Sequence, residues 1–311
     1  MGGQKIAILA TGGTIAGTSP VPGDNLGYTA AQLRVEDLVA SVPALAGLPL
    51  VPEQVAQVDS KDMTFEIWRD LAQRCSHWLA QPDVAGVVVT HGTDTLEETA
   101  FLLQAVLAPA KPVVLTCAMR PATALAPDGP QNLLDAVSLA AWPGARGVVA
   151  VCAGTIHGAR DVAKRHPYRL DAFGSGDAGP IGYVEERRVR LLRDWPELVG
   201  NAPAQLRKFV QAKRWPRVEI VMSHAGAGGA IVQALLDQGV DGIVVAGTGN
   251  GSVHRDLQAA LRKAHDAGVT VVRSTRCAEG EVLARPNDVF PHSAGLSPVK
   301  ARIALMLRLL P

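Results

Sequence analysis

Short β-branched runs alternate with helix-patterned segments along almost the whole chain. A chain with that rhythm folds most readily into parallel sheets covered by helices on both faces. Strands are expected at 5–10, 53–58, 84–90, 112–117, 146–152, 217–222, 240–246 and 269–274. Helices are expected at 30–41, 64–80, 95–108, 130–141, 228–238, 254–267 and 297–309. The rhythm fails once at length: the stretch from about 186 to 215 is charged, holds Pro196 and Pro203 and lacks a clean strand. We read a larger N-terminal catalytic domain over 1–188, a linker over 189–215 and a smaller C-terminal α/β domain over 216–311.

With 311 residues, 48% of them hydrophobic and 19% charged, the chain has material for a sizeable core. A formal net charge of +1 and the absence of a polybasic stretch argue against a nucleic-acid partner. The run from Glu185 to Arg193 is diluted by acids and reads as solvated linker. No apolar run reaches membrane-spanning length, so no membrane partner is expected. Cys75, Cys117, Cys152 and Cys277 are widely spread with no CxxC pair, which favours buried thiols over disulfides or metal ligands. Met1 leads straight into a strand with no signal-like apolar region, so a cytoplasmic location is expected, a trimmed periplasmic precursor being the alternative.

Two threonine-rich turns stand where strands end. Ala10-Thr11-Gly12-Gly13-Thr14-Ile15-Ala16-Gly17 follows one apolar run, and Thr90-His91-Gly92-Thr93-Asp94-Thr95 follows another. In open parallel sheets the ligand crevice lies at such carboxyl ends. A threonine hydroxyl is a nucleophile once a neighbouring base takes its proton, and Lys164 is a candidate for that base. The structural alternatives are a capping box from Thr95 and Glu98, and a surface Lys164 paired with Asp161. The glycines miss the dinucleotide spacing and neither turn carries Gly-Lys-Ser/Thr, so no cofactor is implied. Gly226-Ala227-Gly228-Gly229 and the turn 247–251 read as plain strand-to-helix turns. His91, His157 and His224 lack metal-ligand spacing and read as structural hydrogen-bonding groups; no metal is implied. Residues 17–29 form an irregular stretch after the first turn, either a lid or an ordinary surface loop.

Taken together, the two turns resemble the paired signatures of bacterial-type L-asparaginases. The resemblance continues through Ala118-Met119-Arg120-Pro121, Asp128-Gly129-Pro130-Gln131-Asn132-Leu133 and Ala159-Arg160-Asp161-Val162-Ala163-Lys164. It returns at Gly182-Tyr183-Val184, Gly249-Asn250-Gly251-Ser252 and Val272-Arg273-Ser274-Thr275-Arg276. Its details look more like the type II asparaginase/glutaminase branch than the cytoplasmic type I branch. The resemblance implies a flavodoxin-like doubly wound N-terminal domain and a homotetramer of intimate dimers with sites shared between subunits. It implies hydrolysis of the L-asparagine side-chain amide through an acyl-enzyme, with some activity on L-glutamine. By motif, Thr14 would be the nucleophile, helped by Tyr28 on the lid. Thr93, Asp94 and Lys164 would form the second cluster. Ser60 would bind the substrate α-carboxylate, Asp94 its α-amino group, and Ser252 would reach the neighbouring subunit's site.

Two departures stand out. Lys61 follows Ser60 where the family usually has Gln or Glu, and an inward Lys61 would repel the substrate ammonium. The glutamate that the family extends across the dimer falls at Pro286 or Asn287, with Asp288 as its nearest substitute. Both predict weaker affinity for asparagine or a shifted preference. The alternatives are an amidohydrolase on the same scaffold acting on L-glutamine or D-asparagine, and a non-catalytic amino-acid-binding protein.

Overall fold

Five parallel strands form the centre of the first sheet: β1 (Lys5–Gly12), β2 (Leu50–Val58), β3 (Val84–Thr90), β4 (Val113–Thr116) and β5 (Val148–Cys152). The structure is a computed structural model and describes residues 4–21, 23–197 and 202–311. The five strands lie in the order β2-β1-β3-β4-β5, all parallel. Val84, Val87, Val88, Val89 of β3 and Val113, Val114, Leu115 of β4 are fully buried, as parallel strands with both faces covered must be.

Helices α1 (Val35–Ala40), α2 (Phe65–Leu79), α3 (Leu96–Leu107) and α4 (Gly129–Ala140) wrap this sheet. In α2, Trp68, Leu71, Ala72 and Cys75 recur at helical spacing and are buried, giving one apolar face to the sheet. Thr64 caps that helix by accepting the amide of Ile67 at 3.3 Å. The α1 and α4 side is a second apolar layer, in which Val35, Leu133, Ala136 and Val137 meet Ile6, Ile8 and Val88. Helices on both faces make the unit doubly wound, with the order of strand addition switching sides between β1 and β3.

The sheet is not purely parallel. Beyond β5 come β6 (Thr155–Gly158), β9 (Gly182–Glu185) and β10 (Arg188–Leu191), each antiparallel to its neighbour. Between them β7 (Ala163–Lys164) and β8 (Phe173–Gly174) form a small ribbon. The segment expected as solvated linker is therefore partly a hairpin, since β9 and β10 pair through a two-residue turn at Glu186 and Arg187. Arg190 closes it with a bidentate pair to Glu185. A helix α5 (Ala202–Gln211) follows, and residues 198–201 of the expected linker lie outside the described residues.

Two units meet between Leu206 and Arg207. The second carries parallel strands β11 (Val218–Met222), β12 (Gly242–Gly247) and β13 (Thr270–Thr275). Helices α6 (Ala230–Asp237) and α7 (Arg255–Asp266) bury Val232, Leu235, Leu257 and Leu261 against Ile243 and Val245. Helix α8 (Pro298–Leu309) covers the other face, where Gly242 lies against Leu305 and Leu309. The helix expected at 30–41 is shorter because Gln32 and Leu33 donate their amides back to Ala16, which holds 30–34 against the first threonine turn. Among the described residues no helix is long and apolar enough to cross a membrane.

Candidate active site

The sheet's reversal point brings the two threonine turns together. Gly13 (φ 81°) sits so close to Gly92 that a Cβ on Gly13 would lie 2.3 Å from the Gly92 Cα. A Cβ on Gly92 would in turn lie 2.5 Å from Ser60 Oγ. Glycine at both positions is what lets the two turns touch backbone to backbone. Thr14 and Thr93 each follow one of these touching glycines, and both are buried at 6% exposure.

Each threonine has its own proton-handling neighbour. Thr14 Oγ1 lies 2.7 Å from the Tyr28 hydroxyl. Tyr28 reaches it from the 17–29 stretch, of which Pro22 lies outside the described residues. The ends of that stretch pair through Thr18 and Thr29, whose amides exchange bonds of 3.0 and 2.9 Å. Within it Asp24 Oδ1 accepts the amides of Leu26 and Gly27, both at 2.9 Å. Those two donors hold the Asp24 carboxyl below its ordinary value. Gly17 has no side chain to collide with the Tyr28 ring, which would stand 2.8 Å from a Cβ there.

Thr93 Oγ1 accepts a hydrogen bond from Lys164 Nζ at 2.8 Å, and the same ammonium lies 2.5 Å from Asp94 Oδ1. The surface pairing of Lys164 with Asp161 is overturned: Asp161 instead binds Arg193 at 2.5 Å. Lys164 is aimed by the β7 ribbon, and its amide donates to Glu97 Oε1 at 3.1 Å. The capping box expected from Thr95 is also absent, because the Thr95 hydroxyl donates to the Ser60 carbonyl at 2.8 Å. Ser60 Oγ accepts the Asp94 amide at 3.2 Å, tying the 3-10 turn at 60–62 to the second threonine turn. Among the described residues no backbone carbonyl takes the amide protons of Thr14 or Thr93.

Lys61 turns away from this cluster. Its ammonium lies 2.6 Å from Asp59 Oδ2 and 3.4 Å from Asp62 Oδ2, and these acids raise its pKa. Ser252 belongs to the second unit, exposed on the turn after β12, where its amide donates to Thr248 at 2.7 Å. Asp288 is engaged within that unit: its carboxylate accepts the Arg285 amide at 2.8 Å and pairs with Arg273. The Arg285 amide, ahead of Arg273, holds its pKa down.

Behind Thr93 lies a buried chain of side chains, of which sequence reading singled out only His91, as a structural hydrogen-bonding group. Trp68 Nε1 meets Thr99 Oγ1 at 2.8 Å, Thr99 Oγ1 meets His91 Nε2 at 2.8 Å, and His91 Nδ1 meets the Gly92 carbonyl at 2.7 Å. Burial drives the His91 pKa down to about 4. The signal available was the spacing of His91 and Thr99 astride a helix start, with a buried Trp needing an acceptor. His157 and His224 are also hydrogen-bonded, to Ser175 and the Ala225 carbonyl. Among the described residues no group of three His, Cys, Asp or Glu side chains could hold a metal ion. The four cysteines are free; Cys117 and Cys152, both buried, place their sulfurs 3.2 Å apart.

Family models and individual proteins match this chain along nearly its whole length. The asparaginase N-terminal family model matches residues 5–197, and the glutaminase/asparaginase C-terminal domain model matches residues 217–310. L-asparaginase 2 of Escherichia coli is 39% identical, over 98% of this chain and 88% of that protein. The glutaminase-asparaginase of Acinetobacter glutaminasificans is 38% identical, over 98% of this chain and 95% of that protein. The crystal structure of a probable cytoplasmic L-asparaginase from Campylobacter jejuni superposes with a TM-score of 0.92 at 38% identity, covering 98% of this chain and 95% of that one.

Proposed function

The chain belongs to the asparaginase family, and from that membership we infer that it hydrolyses L-asparagine to L-aspartate and ammonia. L-Glutamine is a second amide for it, as the names of the glutaminase-asparaginase relatives suggest. The observation that carries the reading is that two buried threonines, in turns that touch through Gly13 and Gly92, each have a hydrogen-bonding partner at the hydroxyl, Tyr28 for Thr14 and Lys164 for Thr93.

In the proposed reaction Thr14 Oγ1 attacks the side-chain amide carbon, and its proton leaves toward the Tyr28 hydroxyl 2.7 Å away. The developing oxyanion takes the amide protons of Thr14 and Thr93. A single donor of that kind is worth about 2.7–4 kcal/mol of barrier. The proton passes to the departing nitrogen, ammonia leaves, and an acyl-enzyme remains on Thr14. Water then attacks that ester, oriented by Thr93 with Lys164 and Asp94 behind it, and releases aspartate. Ser60 holds the substrate α-carboxylate, Asp94 its ammonium, and Ser252 reaches a partner's site. The reaction needs no metal or cofactor.

We further propose a homotetramer of intimate dimers, supported by the family and by an exposed Ser252 in a motif that would serve a neighbouring copy. A cytoplasmic location is supported by the similar solved structure from Campylobacter jejuni, which is named a probable cytoplasmic L-asparaginase. The catalytic role falls to the N-terminal domain, which holds every group in the proposed reaction except Ser252.

Ammonia release from L-asparagine, L-glutamine and D-asparagine, measured separately, tests the reaction. Turnover of L-asparagine that falls by at least about a thousandfold in both Thr14→Ala and Thr93→Ala is the expected outcome. A folded protein silent on all three amides would overturn it.

A further inference from the structure

The amide proton of Thr93 can stabilise an oxyanion only if the Gly92–Thr93 peptide is held in one orientation. A trans peptide is planar, so its N–H points opposite to its C=O. Here the C=O of Gly92 is gripped by His91 Nδ1 at 2.7 Å, from an imidazole with no solvent exposure. The Thr93 N–H therefore points away from the buried ring.

The grip needs a particular tautomer, and the residues behind His91 complement it. An indole nitrogen only donates, so Trp68 Nε1–H must point at Thr99 Oγ1. The Gly92 carbonyl can only accept, so the ring proton belongs on Nδ1, and the single hydroxyl proton of Thr99 is then directed at the bare His91 Nε2. Every donor in the chain points the same way, and all three side chains are at least nine-tenths buried. The imidazole stays neutral because burial depresses its pKa. A protonated ring would place a second proton against the Thr99 hydroxyl and break the direction of the chain.

We propose that Trp68, Thr99 and His91 are positioning residues: a one-way hydrogen-bond relay that aims the Thr93 amide at the oxyanion of the amide-hydrolysis step. This rests on the reaction proposed above. None of the three needs to touch substrate. Helices α2 and α3 hold the relay, so the rigid side of the sheet sets the geometry of the oxyanion donor.

Thr99→Val is the test, with Thr99→Ser as its conservative rescue. Valine keeps the shape, removes the donor to His91 and frees the ring to change tautomer. The relay predicts that kcat on L-asparagine falls by about tenfold or more, as part of what losing an oxyanion donor costs, with KM within about twofold. Thr99→Ser should restore kcat to within about threefold, because its hydroxyl remakes both bonds. Long-range 15N–1H spectra should show the Nδ1–H tautomer in the wild-type protein and a mixture in Thr99→Val. Thermal unfolding of each variant reports stability separately. An unchanged kcat in Thr99→Val, a matching rise in KM, or an Nε2–H ring in the wild-type protein would each overturn the relay. A wild-type protein that released no ammonia would overturn the reaction instead, while the tautomer spectra would still decide the hydrogen-bond direction.

Discussion

The two threonine turns do similar work from unlike supports. Thr14 depends on a tyrosine delivered by an irregular stretch, fastened by a two-residue bridge and an aspartate that caps its own loop. Thr93 is bonded by a lysine lying 71 residues further along the chain, while Ser60 holds the next residue, Asp94, and side chains from two buried helices hold His91 before it. A hydrolase must both admit its substrate and exclude bulk water during attack. In the proposed reaction the pairing would meet that demand if movement were confined to the turn that carries Tyr28 while the Thr93 side stayed fixed. The contrast teaches that the two halves should fail differently.

The buried half should fail in acid. His91 has a folded pKa of about 4 against an ordinary 6.5, so its contribution is complete above pH 6.5 and is lost as pH falls toward 4. The full loss is roughly 3 kcal/mol. Asp135 runs the other way: burial raises its pKa to about 6, so it stabilises at low pH and that gain disappears as pH rises through 6. In the wild-type chain the two slopes oppose each other between pH 4 and 6.5. Asp135→Asn removes one of them. Urea unfolding of the variant across that window should show a steeper loss of stability with acid than the wild type, and a more stable protein at pH 7. Parallel curves for the two proteins would show that Asp135 does not titrate in this way, and a variant that lost no stability toward acid would show the same of His91.

The lid half should fail in turnover and leave the fold intact. Asp24→Ala deletes the acceptor for Leu26 and Gly27 without touching the sheet. We expect kcat/KM on L-asparagine to fall about tenfold, with the thermal midpoint unchanged, since loosening a closing loop costs catalysis before it costs stability. A fall in thermal midpoint with normal kcat/KM would reverse the assignment of loop and scaffold.

How much of this was legible in the chain depends on how far apart the cooperating residues lie. The parallel strands are readable because burial on both faces demands unbroken apolar runs, as in Val87-Val88-Val89. The β9–β10 hairpin is not. Its turn puts Glu186 and Arg187 at φ values of 49° and 63°, where glycine or asparagine is the usual signal, so the sequence resembles charged linker. Thr95 looks like a cap because its local spacing is right, yet Ser60 offers its hydroxyl a better acceptor from 35 residues away. Lys164 likewise sits three residues from Asp161 but answers to Asp94. Local pattern names the residues of the site; long-range packing decides which of them touch.

Lys61 provides the finest test of the same lesson. By sequence it is a cation beside the serine proposed to bind the substrate carboxylate, and an inward ammonium there would oppose the substrate's own. In the structure Asp59 and Asp62 flank that ammonium, and its side chain is 60% exposed. Charges so placed are largely screened by water and salt. Lys61→Gln should therefore leave the KM for L-asparagine within about twofold at 0.15 M salt. A larger change is expected only at low ionic strength, where the exposed cation acts over a longer range. If the substitution instead lowered KM by about tenfold at physiological salt, Lys61 would be acting on the bound ammonium directly. The turn at 60–62 would then have to open during catalysis, and the half of the site held here to be fixed would have a moving part of its own.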